Sequence, residues 1–194
     1  MAVIFSELSR LLTRREPSFQ SWGRPAAVMV LLAREPVPSV LLIHRPDTLS
    51  HHAGQIACPG GSFDNLLDCT LWDTACRETQ EEVGIAVTRA SFAGYLDPVH
   101  ISVTGFTFIP AVSVLARQAP VIPSFAEVQS YRWVSLEELR QVKRMSSVTH
   151  NDRTYRMAEF PLPWGRVWGA TARVIEQLLE VLASHEEGVM GADS

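Results

Sequence analysis

The stretch Arg77-Glu78-Thr79-Gln80-Glu81-Glu82-Val83-Gly84-Ile85 constrains this chain more than any other, because it gathers like charges where a helix tolerates them poorly. At about 100° per residue, Trp72, Ala75, Cys76, Thr79 and Val83 form one largely apolar stripe. Glu78, Glu81 and Glu82 gather on the opposite side, with Arg77 at the flank. Glu78 and Glu82 are i,i+4 neighbours and Glu78 and Glu81 are i,i+3 neighbours, a spacing that costs a helix roughly 0.2–0.5 kcal/mol per pair. A hard cation turns that cost into a binding site, since Mg²⁺ prefers carboxylate oxygens and keeps several waters. The bland alternative is a solvated charged face. Local punctuation weighs against it. Thr70-x-x-Asp73 reads as a capping box that starts the helix, and Gly84 as the residue that stops it. Gly60-Gly61, a short loop upstream, allows backbone to approach a ligand closely.

With 194 residues and 46% hydrophobic content, the chain can bury one sizeable core. The expected organisation is an N-terminal helix and connector (1–24), a single domain (25–187) and a frayed tail (188–194). A formal charge of −4 argues against a nucleic-acid backbone as partner. No apolar run approaches ~20 residues and no signal peptide is evident, so no membrane association is expected. Cys58, Cys69 and Cys76 are odd in number and lack C-x-x-C spacing, which reads as reduced thiols of a cytoplasmic protein.

Along the chain, residues 2–15 read as an amphipathic helix ended by Pro17, with Ile4, Phe5, Leu8, Leu11 and Leu12 on one face. Residues 26–33 form a near-continuous apolar run, as in a strand buried on both faces, and residues 40–45 return as a second strand. The loop after Pro46 holds His51 and His52. No third ligand lies nearby, so zinc is not expected, and His52 is a candidate hydrogen-bond donor to a substrate phosphate. Residues 86–97 and 105–116 read as strands, and residues 131–134 as another, followed by a short helix capped by Ser135. Residues 146–161 read as a hairpin around Asn151-Asp152, and the final helix starts near Trp164.

These motifs resemble the Nudix hydrolase signature, G-x5-E-x7-R-E-U-x-E-E-x-G-U, where U is aliphatic. Arg77-Glu78, Glu81-Glu82 and Gly84-Ile85 match its second half, with Thr79 at a position that is usually aliphatic. The first half departs: Gly61 to Arg77 is two residues too long, and Asp64, Asp68 and Asp73 are the only carboxylates in place of the Glu. Upstream, Leu41, Leu42, Arg45, Gly54, Pro59, Gly60 and Gly61 match LLTxRSxxxRxxxGxxxFPGG, a motif of coenzyme A pyrophosphatases within that superfamily. Pro46 replaces the Ser, Ser50 stands at the second Arg and Cys58 replaces the Phe. The missing Arg removes one fork suited to phosphate. Asp97 to Gly105 is similar to a further stretch of the same subgroup, and Glu127-Val128 with Trp133-Val134 to the family's E-V-x4-W-V pattern.

The resemblance implies an α/β fold, the Nudix-type α/β/α sandwich with a mixed central sheet. It also implies Mg²⁺- or Mn²⁺-dependent hydrolysis of a pyrophosphate linkage in a small nucleoside diphosphate derivative, with coenzyme A or a relative first in line. The implied metal ligands are Glu78, Glu81 and Glu82, with Arg77 and Glu127 in supporting catalytic roles. Either Glu81 or Glu127 is the implied base. Arg45, His52, Gly54, Gly60 and Gly61 are the implied substrate contacts. Two rival readings are a Nudix enzyme for ADP-ribose or a nucleoside triphosphate, and an inactive nucleotide-binding module. Many superfamily members form homodimers, which leaves a second copy of the chain as an open partner.

Overall fold

The computed structural model describes residues 2–17, 23–48, 53–102, 104–150 and 153–190. After α1 (Ala2–Leu11) come β1 (Arg24–Glu35), β2 (Ser39–His44), β3 (Ile56–Ala57), β4 (Gly60–Ser62) and α2 (Leu71–Val83). Then follow β5 (Phe92–Tyr95), β6 (Val99–Ile101), β7 (Phe106–Arg117), β8 (Ser130–Ser135) and α3 (Leu136–Val142). The chain ends in β9 (Arg144–His150), β10 (Arg153–Leu162), β11 (Gly165–Val167) and α4 (Gly169–Met190).

Among the described residues, eight strands form one mixed sheet and β9, β10 and β11 form a second, antiparallel one. β1 and β7 run parallel from Arg24↔Phe106 to Glu35↔Arg117, while the other pairings of the large sheet are antiparallel. A parallel pair at the centre of a sheet needs cover on both faces. It has that cover. Met29 to Ala33 are fully buried. Ala27, Met29, Leu31, Leu41 and Ile43 pack against α2 through Leu71, Trp72, Ala75 and Val83. Val30, Leu32, Val40 and Leu42 face the opposite layer, built from Phe5 and Leu8 of α1, Leu139 of α3, and Ile175, Leu178 and Leu182 of α4. This is the expected α/β/α sandwich with a mixed sheet.

The position of the site follows from a divergence of β1 and β2. They pair only at Leu32↔Val40 and Ala33↔Ser39. Beyond that point β4 takes over the edge of β1 (Ala27↔Gly61, Val28↔Gly60) and β3 takes over the edge of β2 (Ile43↔Ala57). The segment 56–62 therefore fills a wedge in the sheet and carries the two glycines under α2.

Several local expectations change. The first helix stops at Leu11, not Arg15, because Thr13 turns to bridge Tyr95, whose N–H donates to the Thr13 carbonyl at 2.8 Å. The strand expected over 86–97 shrinks to Phe92–Tyr95 after a single 3-10 turn at Arg89–Ser91. The polar stretch after Asp97 is not only a loop, since Val99–Ile101 pairs with Phe106–Phe108 on β7. The last helix starts at Gly169, because Gly165–Val167 first adds a strand to β10. It continues to Met190, past the expected start of a frayed tail. The hairpin pairs as expected, from Arg153↔His150 to Glu159↔Arg144, with the Asn151-Asp152 turn outside the described residues.

Candidate active site

The helix that carries the carboxylates is fixed at both ends. Thr70 accepts from the Asp73 N–H at 3.1 Å while Asp73 accepts from the Thr70 N–H at 2.9 Å, so the capping box forms in full. Gly84 closes the helix in the left-handed conformation at φ 69°, its N–H donating to the Gln80 carbonyl. Thr79 is fully buried at the position where the family pattern prefers an aliphatic residue. Its hydroxyl is satisfied by the Ala75 carbonyl one turn back, at 2.6 Å.

The last carbonyls of a helix have no partner within it and must be met from outside. Here the loop before β8 meets them: Ile122 N–H donates to the Val83 carbonyl and Ser124 N–H to the Glu82 carbonyl, both at 2.9 Å. Glu127 N–H and Val128 N–H then fold back onto the Ser124 carbonyl, and Val128 is buried. This anchoring brings Glu127 to α2. One carboxylate oxygen from each of Glu78, Glu82 and Glu127 lies within 4.8 Å of the others.

Glu82 is the centre of that group. It is 1% exposed, accepts from Arg45 NH1 at Oε1 (2.9 Å) and from the Gly60 N–H at Oε2 (3.0 Å). Burial still pushes its carboxyl up to about 8; the Gly60 and Arg45 donors oppose this, and Glu78 and Glu127 add to it. Burial also raises Glu78 above the usual carboxylate range, against the pull of Arg77. Three acidic groups held together, Glu82 buried and Glu78 and Glu127 half-buried, offer the all-oxygen donor set that a Mg²⁺- or Mn²⁺-sized cation takes. The residues fit such an ion.

A stability prediction follows for the metal-free protein. The Glu82 carboxyl titrates near 8 when folded and near 4.5 when unfolded, so between those values the unfolded state has lost a proton that the folded state keeps. Its contribution to stability is fully present below about pH 4.5 and is lost progressively as pH rises towards 8. Thermal unfolding in a chelator therefore shows a falling Tm over that window, and Glu82→Gln flattens the fall. A profile for Glu82→Gln that parallels wild type would assign the slope to other groups.

Arg77 organises the outer side of the cluster. NH1 donates to Glu78 at 2.8 Å and to Glu81 at 2.9 Å, and NH2 donates to the Ser62 carbonyl at 3.3 Å. Asp68 grips the other edge of the guanidinium, accepting from Nε and NH2, each at 3.0 Å. Burial works to raise the Asp68 pKa, but donors from Arg77, the Asp64 N–H and Thr74 outweigh it and hold the carboxyl below its ordinary value. Of the three loop carboxylates that stand in place of the signature's Glu, Asp68 is the one that reaches Arg77. Asp68→Ala should destabilise the fold by about 3 kcal/mol, the low end for breaking a buried pair, because Glu78 and Glu81 still face Arg77. Urea unfolding measures this, and a loss near zero would mean the pair is not structural.

The other sequence-predicted residues sort clearly. Glu81 does not join the three-carboxylate group; it is 52% exposed and turned to Arg77, one helical turn away. Gly61 lies against Glu78, where an added Cβ would sit 2.5 and 2.6 Å from the two carboxylate oxygens. Gly60 has φ 155°, and a Cβ there would meet the β1 backbone at Val28 Cα, 2.6 Å away. Gly54 has φ 64°, its carbonyl lies 3.1 Å from His44 Nε2, and a Cβ there would collide with the Asp47 side chain. His52 lies outside the described residues. Cys58, Cys69 and Cys76 are free thiols, Cys58 buried and Cys69 exposed. Among the described residues no helix is long and apolar enough to cross a membrane.

Residues 23–155 match the NUDIX domain family. The chain is 38% identical over 176 residues to a Klebsiella pneumoniae protein described as "Uncharacterized Nudix hydrolase NudL", covering 88% of this chain and 90% of that one. A Cronobacter sakazakii protein of the same description is 38% identical over 158 residues, covering 80% and 81%. Among solved structures, the NUDIX domain of Shewanella oneidensis NrtR, crystallised with ADP ribose, superposes with a TM-score of 0.60 at 19% identity, covering 87% of this chain and 94% of that one. A MutT/nudix protein from Enterococcus faecalis gives 0.59 at 16% identity, covering 94% and 74%. At those identities the structures establish the fold, while the sequence matches carry descent. The chain belongs to the Nudix family and is a Nudix hydrolase, a pyrophosphohydrolase acting on a nucleotide-derived pyrophosphate.

Proposed function

We propose that the substrate is coenzyme A or a related nucleoside diphosphate derivative, cleaved with Mg²⁺ or Mn²⁺ held by Glu78, Glu82 and Glu127. The convergence of those carboxylates within 4.8 Å around a buried Glu82 carries the metal assignment. The spaced match from Leu41 to Gly61 supports the substrate. The bound ion supplies charge neutralisation at the phosphate oxygens and lowers the pKa of water. Water attacks one phosphorus, the bridging P–O bond breaks, and two phosphate monoesters leave. With Glu127 drawn into the cluster, Glu81 is the carboxylate left to take the proton, oriented by Arg77. Gly60 and Gly61 leave no side chain between β4 and the carboxylates of Glu82 and Glu78. Gly54 and His52 are assigned to the substrate's phosphate end. The net charge of −4 suits a small-molecule partner held through metal, not a nucleic acid, and three free thiols suit the cytoplasm.

One observation favours a second reading. Ser50 stands where the subgroup's second Arg would contact phosphate, which opens the site to ADP-ribose or a nucleoside triphosphate. Steady-state kinetics on coenzyme A, ADP-ribose, NADH and nucleoside triphosphates with Mg²⁺ separates the two. The expected result is the highest kcat/KM on coenzyme A or an acyl derivative. Preference for ADP-ribose or a triphosphate would reassign the substrate, and tight binding without turnover on all of them would indicate a sensor module.

A further inference from the structure

We infer that Arg45 is a positioning residue, acting on the reaction through the Glu82 carboxylate and not by gripping the substrate's phosphate. This rests on the reading that the α2 carboxylates hold the metal. Arg45 follows the last residue of β2, and its own N–H donates to the Gln55 carbonyl at 3.0 Å, which fixes its backbone at the mouth of the wedge. NH1 reaches Glu82 Oε1 while the Gly60 N–H takes Oε2. A single donor would leave the carboxylate free to turn about its broad terminal torsion, whereas donors on both oxygens lock its plane. No bulk water can stand in, since Glu82 is 1% exposed.

The rest of the guanidinium points the same way. Among the described residues, Arg45 Nε is buried without a hydrogen-bond partner. A buried donor left unmade is unfavourable, and the ion pair with Glu82 offsets that cost. A phosphate grip uses a free fork on an accessible guanidinium. Here the side chain is only 22% exposed and NH1 is already committed. The arrangement is symmetrical in function: Arg77 sets Glu78 from the outer side, and Arg45 sets Glu82 from the inner side.

The test is Arg45→Ala and Arg45→Lys, each measured by Mn²⁺ titration with electron paramagnetic resonance and by steady-state kinetics, with Tm recorded for both. Loss of a group that orients a metal ligand typically costs about 10- to 100-fold in affinity or turnover. Arg45→Ala should therefore bind Mn²⁺ about tenfold more weakly and lose kcat by a similar factor, while KM stays within about threefold of wild type. Arg45→Lys should recover most of both, since one ammonium donor can reach Glu82; if the alanine variant does not fold, the lysine variant and its Mn²⁺ affinity carry the test. A KM raised tenfold at preserved kcat would assign Arg45 to phosphate. Tighter Mn²⁺ binding in Arg45→Ala would show the guanidinium competing with the cation, and an unchanged variant would show no role; each result overturns the inference. Wild-type protein that neither binds Mn²⁺ nor hydrolyses any diphosphate would remove the metal-site reading itself, and the inference with it.

Discussion

Glu82→Gln should lower turnover on the order of 1,000-fold while leaving a folded protein. The substitution keeps the volume of the side chain and one carbonyl oxygen for the Gly60 N–H, so the loop holding Gly60 and Gly61 keeps its anchor. It removes the negative charge at the most buried member of the cluster. Metal-centred charge stabilisation is worth several kcal/mol in a transition state, and each 1.36 kcal/mol is tenfold in rate, which gives a loss of about 10³. Stability should move the other way in a chelator near neutral pH, since burial of a carboxylate at this position is unfavourable without the ion. The combination separates a catalytic defect from a folding defect. Full turnover by Glu82→Gln would remove α2 as the metal site.

Gly61→Ala should cost about 100-fold in kcat with little change in Tm. The backbone at Gly61 is not left-handed, so alanine meets no conformational penalty there; the nearest obstacle is the Glu78 carboxylate. A Cβ at 2.5 and 2.6 Å from its two oxygens forces the carboxylate aside, and Arg77 NH1 at 2.8 Å resists the move. Misplacement of a reacting group by about 1 Å can cost 10²-fold. The carboxylate is the far end of a flexible side chain and shifts without moving the backbone, which is why stability changes little. The measurement is kcat and the Mg²⁺ concentration for half-maximal rate. Activity within about twofold of wild type would mean that Glu78 works from a position other than the one seen against Gly61.

How much of this was legible in the sequence depends on how far each contact reaches along the chain. α2 was readable because its signals are local: Thr70, Asp73 and Gly84 bracket a clean 3.6-residue period, and each does what its position suggests. The buried run of β1 was readable for the same reason. β6 and β11 were not. Each is three residues long, with no alternation of its own, and exists because a longer neighbour, β7 or β10, offers an edge. In the site, Glu78 and Glu82 follow from helical spacing. Glu127 was flagged by pattern, but its approach to α2 depends on Ser124 meeting the carbonyl of Glu82, a contact between residues far apart in sequence. Asp68 escaped a fixed-spacing motif because the longer loop folds back on itself, with the Asp68 N–H on the Asp64 carbonyl at 2.7 Å and the Asp64 N–H on the Asp68 carboxylate at 3.1 Å. The motif implies a substrate contact for Arg45, and the wedge between β1 and β2 instead lays its guanidinium on Glu82.

Hydrolysis of coenzyme A in ¹⁸O-labelled water, with Mg²⁺ and with excess chelator, tests the central claim most directly. The account predicts two phosphate monoester products, one carrying a single ¹⁸O, formed with Mg²⁺, abolished by the chelator and slowed on the order of 1,000-fold by Glu82→Gln. Turnover that persists in the chelator, or at the wild-type rate in Glu82→Gln, would contradict it.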